Sequence, residues 1–407
     1  MNGKFGLIGR TLKHSYSKKI HALLGEYPYD LYEIEPSGLE NFVNSGELSG
    51  YNVTIPYKKD IIKYLDVVDK NALDIGAVNT VVIRDGKKYG YNTDFLGMKY
   101  MLARAGITLK DKTVMILGSG GTSNTARAVA SDGGAKKIII VSRSGEVNYT
   151  TCYGQSDVNV IINTTPVGMY PDNYSSPIDL SKFPRLEGVA DVVYNPNTTA
   201  LTHTAKSLGI KSANGLPMLV AQAKYAMELF CDEKVLDGVI EDIIEKLSKE
   251  TLNVVLIGMA GCGKSTVGKL LSEMTGREFI DTDLEIEKRE NRDIPTIFKD
   301  SGEAYFRAVE REVLKDVGKL TGKIISTGGG VVKDKENLFP LKSNGVIIWL
   351  KRDVNKLVTE NRPLSKDLGT VQKLYAERKA LYESFADFSV MNNGDIMDAV
   401  KGVMEKI

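Results

Sequence analysis

Two glycine-rich loops of different chemistry lie in this chain, and each closes a strand-length apolar run. Thr113-Val-Met-Ile-Leu-Gly118 continues into Ser119-Gly120-Gly121-Thr122-Ser123. Asn253-Val-Val-Leu-Ile-Gly258 continues into Met-Ala260-Gly261-Cys262-Gly263-Lys264-Ser265. A Gly-rich turn without lysine, set between strand and helix, suits the pyrophosphate of a dinucleotide. A loop ending in Gly-Lys-Ser suits a nucleoside triphosphate with magnesium. The sequence therefore predicts two nucleotide sites and two reactions, and the question becomes which substrate they share.

A chain of 407 residues exceeds one ordinary core, so about two or three domains are expected. The composition, 42% hydrophobic and 26% charged, is that of a soluble globular protein. A net charge of +1 offers no basic field to recruit nucleic acid or membrane. No apolar run reaches the roughly 18 residues of a transmembrane helix. Met1–Gly9 reads as a strand running into glycine rather than as a secretory leader. Cys152, Cys231 and Cys262 are few and far apart, which suggests a reducing cytoplasm and no disulfide framework.

Apolar runs alternate with amphipathic stretches. Phe5–Ile8, Asn52–Ile55, Thr80–Ile83, Val114–Leu117, Lys137–Val141, Val158–Ile162 and Val189–Val193 read as strands. The alternation predicts an α/β fold of parallel sheets with crossover helices. A helical tract follows Leu216, over Met218–Phe230 and then Val235–Lys249. In its second part Leu236, Val239, Ile240, Ile243, Ile244 and Leu247 recur with 3.6-residue spacing. The pattern stops at Ser248–Thr251, so the main boundary is expected there, with no flexible linker.

In the C-terminal half, a strand precedes Gly258-x4-Gly263-Lys264-Ser265 and a helix-like Thr266–Met274 follows it. Backbone N–H groups and the helix N-terminus would cradle phosphates. Lys264 would neutralise the β/γ-phosphates, and the Ser265 hydroxyl would bind magnesium. Cys262 lies inside this loop, so an adduct there is expected to obstruct ATP if a reagent reaches the thiol. Asp281-Thr-Asp283, Tyr305-Phe-Arg307, Gly328-Gly329-Gly330, Asn361-Arg362-Pro-Leu and Glu377-Arg378 follow in order. Singly, each reads equally well as a turn or a solvated helix face. As an ordered set, residues 252–407 resemble shikimate kinase. The resemblance implies ATP contacts at Ala260, Gly261, Cys262, Gly263, Lys264, Ser265 and Thr266, with Arg362 as a lid arginine. It implies magnesium at Ser265 and Asp281, and a substrate-orienting carboxylate at Asp283. Arg307 and Arg378 would fork the substrate carboxylate, and Gly328, Gly329 and Gly330 would back the substrate ring.

The N-terminal half carries His14-Ser15-Tyr16-Ser17, Asn52-Val-Thr54-Ile-Pro56-Tyr-Lys58, Gly76-Ala-Val-Asn79-Thr and Gly90-Tyr-Asn92-Thr-Asp94. The Gly118 loop, Ile162-Asn-Thr-Thr-Pro-Val-Gly168-Met, Tyr194-Asn-Pro and Asn214-Gly215-Leu-Pro-Met218-Leu-Val-Ala-Gln222 complete the series. Asn and Thr beside Gly or Pro ordinarily mean turns. Together they resemble shikimate dehydrogenase over about 1–248. The resemblance implies substrate contacts at Ser15, Ser17, Thr54, Asn79, Tyr194 and Gln222, and a catalytic pair, Lys58 and Asp94. It implies NADP contacts at Gly118, Ser119, Gly120, Gly121, Thr122, Ser142, Arg143 and Gly215. An arginine after the second cofactor strand suits a ribose 2′-phosphate. Arg143 therefore favours NADP, although Glu146 thins the positive cluster that the family shows there.

The reading is a bifunctional enzyme of about 1–250 and 251–407. The first part would join a substrate domain (about 1–95 and 225–248) to a Rossmann cofactor domain (about 96–224); the second would be a P-loop kinase. NADPH would reduce 3-dehydroshikimate to shikimate, and ATP with Mg2+ would phosphorylate it to shikimate 3-phosphate. Small molecules are the expected partners, with no nucleic acid and no membrane. One alternative is a catabolic quinate/shikimate dehydrogenase using NAD, which would have no use for an attached kinase. Another is a non-enzymatic regulator, for which loss of catalytic groups or a basic extension would be the sign.

Overall fold

Parallel strands buried on both faces need a continuous apolar sequence, and the two loop-bearing runs have it. Thr113–Leu117 and Asn253–Ile257 are buried at every residue. The computed structural model describes residues 3–12, 15–357 and 368–407. The chain divides into two compact units, Met1–Lys246 and Leu247–Ile407.

The first unit opens with a mixed sheet of β1 (Phe5–Gly9), β2 (Tyr29–Glu33), β3 (Gly50–Val53), β4 (Val67–Val68), β5 (Thr80–Arg84) and β6 (Lys87–Tyr91), in the order β2-β1-β3-β5-β6-β4. Helices α1 (Ser17–Leu24), α2 (Leu39–Ser45), α3 (Lys70–Ile75) and α4 (Thr93–Arg104) accompany it. The α/β expectation holds, but this first sheet is mixed rather than purely parallel, because β5 pairs antiparallel with both β3 and β6. Between β5 and β6 the cause is the Asp85-Gly86 turn, with φ of 51° and 74° at its two residues. Two central residues at positive φ match the right-handed strand twist and fold a chain straight back on itself, which accounts for the β5–β6 pairing; β3 and β5 are joined by the longer connection through β4 and α3.

A second sheet, all parallel, holds β7 (Thr113–Leu117), β8 (Lys137–Val141), β9 (Val160–Asn163), β10 (Gly188–Asp191) and β11 (Lys211–Ala213), in the order β11-β10-β9-β7-β8. It carries α5 (Gly121–Asp132) and α6 (Ala200–Ser207), then α7 (Leu216–Cys231) and α8 (Gly238–Thr251). The order reverses beside β7, so the Gly118 loop lies at the crevice where open α/β sheets bind ligands. Helix α7 packs on α4 closely enough that a Cβ on Gly97 would lie 2.7 Å from the Met218 carbonyl oxygen. At its other end, Phe230 stacks on Phe5 of the first sheet with centroids 4.8 Å apart. Helix α8 is tied to α4, where Glu241 accepts from Arg104 Nε at 2.7 Å and from the Tyr100 hydroxyl at 2.6 Å.

Two details of the helical tract differ from the sequence pattern. Leu236 fits the periodicity yet is 87% exposed, because it precedes the first turn of α8. The helix also runs on to Thr251, whose hydroxyl donates back to the Leu247 carbonyl at 2.8 Å, and the next strand opens at Asn253.

The second unit is a parallel sheet of β12 (Asn253–Ile257), β13 (Phe279–Asp281), β14 (Ile324–Ser326), β15 (Gly345–Lys351) and β16 (Phe388–Met391), in the order β13-β14-β12-β15-β16. Helices α9 (Lys264–Thr275), α10 (Thr282–Glu290), α11 (Ile294–Gly318), α12 (Leu338–Ser343), α13 (Leu368–Phe385) and α14 (Ile396–Met404) surround it. Its core joins Val254–Ile257 to Val267, Leu271, Ile347–Leu350 and Tyr382. No described helix is long and apolar enough to cross a membrane.

Candidate active sites

Strand β3 ends at Val53, and the chain turns at Thr54 to Lys58. The turn is pinned by Thr54 N–H to Ile8 O at 2.9 Å and by Val78 N–H to Lys58 O at 2.8 Å. Asp94 stands in the first turn of α4, where the helix N-terminus favours a carboxylate. Asn92 fixes that turn, accepting from Phe95 N–H at 3.2 Å and donating to Ala77 O at 2.8 Å. Lys58 Nζ consequently meets Asp94 Oδ2 at 2.6 Å, with both side chains largely out of solvent.

These two line a cavity of about 770 Å3 together with Ser15, Ser17, Thr54, Asn79, Tyr194 and Gln222. All eight residues that the sequence assigned to one ring-acid site thus face one space. Thr122 and Gly215, from the assigned cofactor set, face it too. Asn79 is 3% exposed and held by Thr93, whose N–H donates to its Oδ1 at 2.7 Å. Tyr194 packs edge-on against Tyr16, and burial pushes its hydroxyl pKa up. His14 lies outside the described residues. Arg10, Asn52 and Met218 also line the cavity and escaped the sequence reading. Asn52 lies in the Asn52–Lys58 motif, but its sequence context is that of any strand-end asparagine.

At the Gly118 loop, φ is 106° and a Cβ would lie 2.8 Å from Thr164 Oγ1, so a side chain is excluded. Gly120 and Gly121 face open space at the start of α5, which leaves backbone N–H groups free to approach a pyrophosphate. Ser119 is exposed there, and Ser142 N–H is turned onto Val147 O at 3.1 Å. Arg143 is exposed, and its charge opposes the burial that raises the Tyr149 pKa. Among the described residues it has no acidic partner. Gly215 packs its Cα against the Val192 carbonyl. Behind this wall lies a buried knot that the sequence did not reveal. Asp191 accepts from Asn163 Nδ2 at 2.9 Å, from Thr199 Oγ1 at 2.7 Å and from Val193 N–H at 3.1 Å. Burial pushes its carboxyl up to about 6 against those bonds.

In the second unit, Gly258, Gly261 and Gly263 take φ of 146°, 84° and 98° and form the loop ahead of α9. Lys264 is 7% exposed and donates to Gly258 O and Met259 O, both at 3.0 Å. Ser265 Oγ donates to Asp281 Oδ2 at 2.7 Å. Asp281 also caps α10, accepting from Asp283 N–H at 3.1 Å. Asp283 has its pKa raised to about 6, by burial first and by Asp281 second, with Lys264 and Arg307 opposing.

Arg307 donates to Glu310 Oε2 at 2.7 Å. Glu310 is 1% exposed and its pKa is raised, by burial first, with Arg307 opposing and Asp283 adding. The triplet Gly328–Gly330 has a steric reason. A Cβ would meet Asp283 Oδ1 at 2.7 Å at Gly328 and Ala260 N at 2.7 Å at Gly329, and would strike the Arg307 guanidinium at Gly330. Arg378 Nη1 donates to Gly329 O at 3.0 Å, and the buried Tyr382 hydroxyl reaches the same oxygen. The structure thus gathers Lys264, Ser265, Asp281, Asp283, Arg307, the triplet and Arg378. Thr266 is exposed on the first turn of α9. Arg362 lies outside the described residues. The Cys262 thiol, in contrast to an accessible one, is fully buried. Asn392 Nδ2 holds the Cys262 carbonyl at 2.8 Å, so the residue offers the loop its backbone and the core its sulfur. Glu310 escaped the sequence reading, although its spacing of three from Arg307 is a helical ion-pair signal.

Residues 7–81 match the family of the shikimate dehydrogenase substrate binding domain, and residues 260–407 match that of shikimate kinase. The shikimate dehydrogenase (NADP(+)) of Clostridium perfringens is 38% identical over 265 residues, 60% of this chain and 97% of that protein. That of Clostridium beijerinckii is 37% identical over 257 residues, 58% of this chain and 95% of that protein. Among solved structures, the chorismate mutase/shikimate 5-dehydrogenase fusion protein from Clostridium acetobutylicum is 34% identical with a TM-score of 0.58, covering 61% of this chain and 97% of that one. Shikimate 5-dehydrogenase from Thermus thermophilus, in complex with NADP(H) and shikimate, is 27% identical with a TM-score of 0.55, covering 60% of this chain and 98% of that one.

Proposed function

The chain belongs to the shikimate dehydrogenase family over its first three-fifths and carries a shikimate kinase domain after it, and we propose that it runs consecutive steps on one ring acid. The first is reduction of 3-dehydroshikimate to shikimate with NADPH. The second is transfer of the ATP γ-phosphoryl group to the shikimate 3-hydroxyl. The observation that carries the reading is the convergence of Ser15, Ser17, Thr54, Lys58, Asn79, Asp94, Tyr194 and Gln222 on one cavity, with Lys58 and Asp94 paired at 2.6 Å.

The open glycine cradle ahead of α5 fits a dinucleotide. Arg143, without an acidic partner among the described residues, fits a 2′-phosphate. NADPH bound there supplies the hydride. The chain's own work is to hold the ring and move one proton. Ser15 and Ser17 bind the ring acid, and Thr54, Asn79, Tyr194 and Gln222 fix its face. As the ketone becomes an alkoxide, Lys58 Nζ gives it a proton. The Asp94 carboxylate holds and aims the Lys58 side chain until then.

In the second unit Ser265 and Asp281 offer oxygen atoms 2.7 Å apart, the hard donors that magnesium takes alongside phosphates and water. Magnesium-ATP supplies the phosphoryl group there. Lys264 exchanges the loop carbonyls for phosphate oxygens. Arg307 and Arg378 hold the substrate carboxylate, and the Asp283 carboxylate takes the proton of the attacking hydroxyl. The steps are positioning and charge neutralisation, as phosphoryl transfer requires. None of the three cysteines forms a disulfide, which suits a reducing compartment, and we assign the enzyme to the cytoplasm.

Product identification tests the reading. Incubation with 3-dehydroshikimate and NADPH should yield shikimate by mass spectrometry, and added ATP should convert it to the 3-phosphate. Phosphorylation at another hydroxyl, or reduction of quinate-type ketones in preference, would overturn it.

A further inference from the structure

Arg307, assigned above to the substrate carboxylate, is held by two carboxylates of its own helix. Glu303, Arg307 and Glu310 stand at i, i+4 and i+7, one face of α11. Gly302 interrupts that helix with φ of 82° and ψ of 171°, so Glu303 opens its second segment. The two acids are not equivalent. Glu310 is 1% exposed and lies 2.7 Å from Nη1. Glu303 is 45% exposed and accepts from Nη2 at 3.2 Å and from Nε at 3.4 Å. It therefore covers the Nε–Nη2 edge, one of the two edges on which a guanidinium takes a carboxylate with paired bonds. The same oxygen of Glu303 accepts from Lys333 Nζ at the closer distance of 2.6 Å. Lys333 ends the 3-10 turn that follows the glycine triplet.

We propose that Glu303 is a displaceable internal carboxylate. It covers the Nε–Nη2 edge of Arg307 until a ring acid takes that edge, and Lys333 then retains it. Glu303 and Lys333 thereby set the affinity of the kinase site for an acidic substrate. This rests on the reading that Arg307 receives the substrate carboxylate. The physical sense is a charge exchange. Glu310, buried and on the other nitrogen, stays as the fixed counter-charge. The half-exposed Glu303 can swing because its shorter bond already runs to Lys333. Removing its charge frees two donors and removes repulsion toward an incoming acid. Removing Lys333 leaves Glu303 with Arg307 alone.

The test is ADP release by the full chain with shikimate varied and NADP omitted, so that the dehydrogenase site stays silent. Glu303→Gln should lower the shikimate KM by about two- to fivefold, the range of a part-exposed ion pair. Lys333→Met should raise it by a similar factor, and the double variant should match Glu303→Gln. The ATP KM is the internal control and should not follow. An unchanged or raised KM in Glu303→Gln would overturn the proposal, since a residue that only braces Arg307 gives that sign. So would a Lys333→Met effect that persists without Glu303, which would mean direct contact with substrate. Arg307→Lys separates the two levels. If it leaves the shikimate KM unchanged, the assignment of Arg307 fails and the proposal with it. If it raises KM while Glu303→Gln does not lower it, the displaceable carboxylate alone is wrong.

Discussion

Lys58 Nζ and Asp94 Oδ2 meet at 2.6 Å in the wall of the first unit's cavity, although they stand 36 positions apart in the chain. The contact joins the turn after β3 to the first turn of α4. The carboxylate aims the lysine into the cavity, and both groups belong to the first unit.

Lys58→Ala is therefore expected to cut dehydrogenase turnover by about 10²–10⁴, the usual share of a general acid. Kinase turnover of the same preparation should stay near wild type. Both rates are measured on one sample. A dehydrogenase loss below about tenfold would remove Lys58 from proton transfer.

Asp283 carries a pH prediction. Burial and Asp281 raise its pKa to about 6, and in the proposed mechanism the ionised form would accept the hydroxyl proton. Shikimate kcat/KM of the kinase should thus fall as pH drops through about 6. Magnesium bound at Asp281, as proposed, would offset the second cause, so the limb should move lower as magnesium rises. Asp283→Asn should lose turnover far more than nucleotide affinity. A flat profile on either side of that pKa, or equal losses of turnover and affinity, would assign Asp283 a structural part only.

Arg143→Ala should weaken NADPH more than NADH, because the guanidinium is exposed and has no acidic partner among the described residues to hold it elsewhere. Dehydrogenase KM values for the two cofactors decide it. An unchanged ratio would mean that the 2′-phosphate is read by another group.

Much of this was legible because the chemistry-bearing residues stand in short motifs at strand ends. The two loops follow runs buried at every position, so an apolar five-residue pattern reported both the strand and its place in a parallel sheet. The β5–β6 hairpin has its local signal in Asp85-Gly86, a pair that the alternation of apolar runs does not single out. Leu236 shows the limit of periodicity, which cannot tell a helix's first turn from the residues before it. Asp191, Glu310 and Asn52 were not legible. Each is defined by partners brought together through sheet topology, and a lone polar residue at a strand end or on a helix carries no mark of that.

Asp191 gives a stability prediction with a definite sign. Its folded pKa is about 6, above the 3.8 usual for a solvated aspartate, and burial is the leading cause. The native state therefore binds the proton more tightly between those values, and stability from this group falls as pH rises through about 6. Asp191→Asn removes the buried charge and keeps an acceptor for Asn163 and Val193. Relative to wild type, the variant's thermal inactivation temperature for dehydrogenase activity should improve as pH is raised from below that pKa to well above it. A pH-independent difference would show that the carboxylate stays ionised or protonated throughout.

The central claim is that one chain holds two self-sufficient active sites acting in sequence on one small acid. The most direct measurement is an equimolar mixture of the Lys58→Ala and Lys264→Ala variants, given 3-dehydroshikimate, NADPH and ATP. Each variant alone should form almost no shikimate 3-phosphate; the first should be rescued by added shikimate, and the second should accumulate it. The mixture should form shikimate 3-phosphate with one NADPH oxidised per ADP released, because shikimate made on one molecule diffuses to the other. A mixture as inactive as its parts, with both variants folded and each retaining its own partial reaction, would contradict the claim.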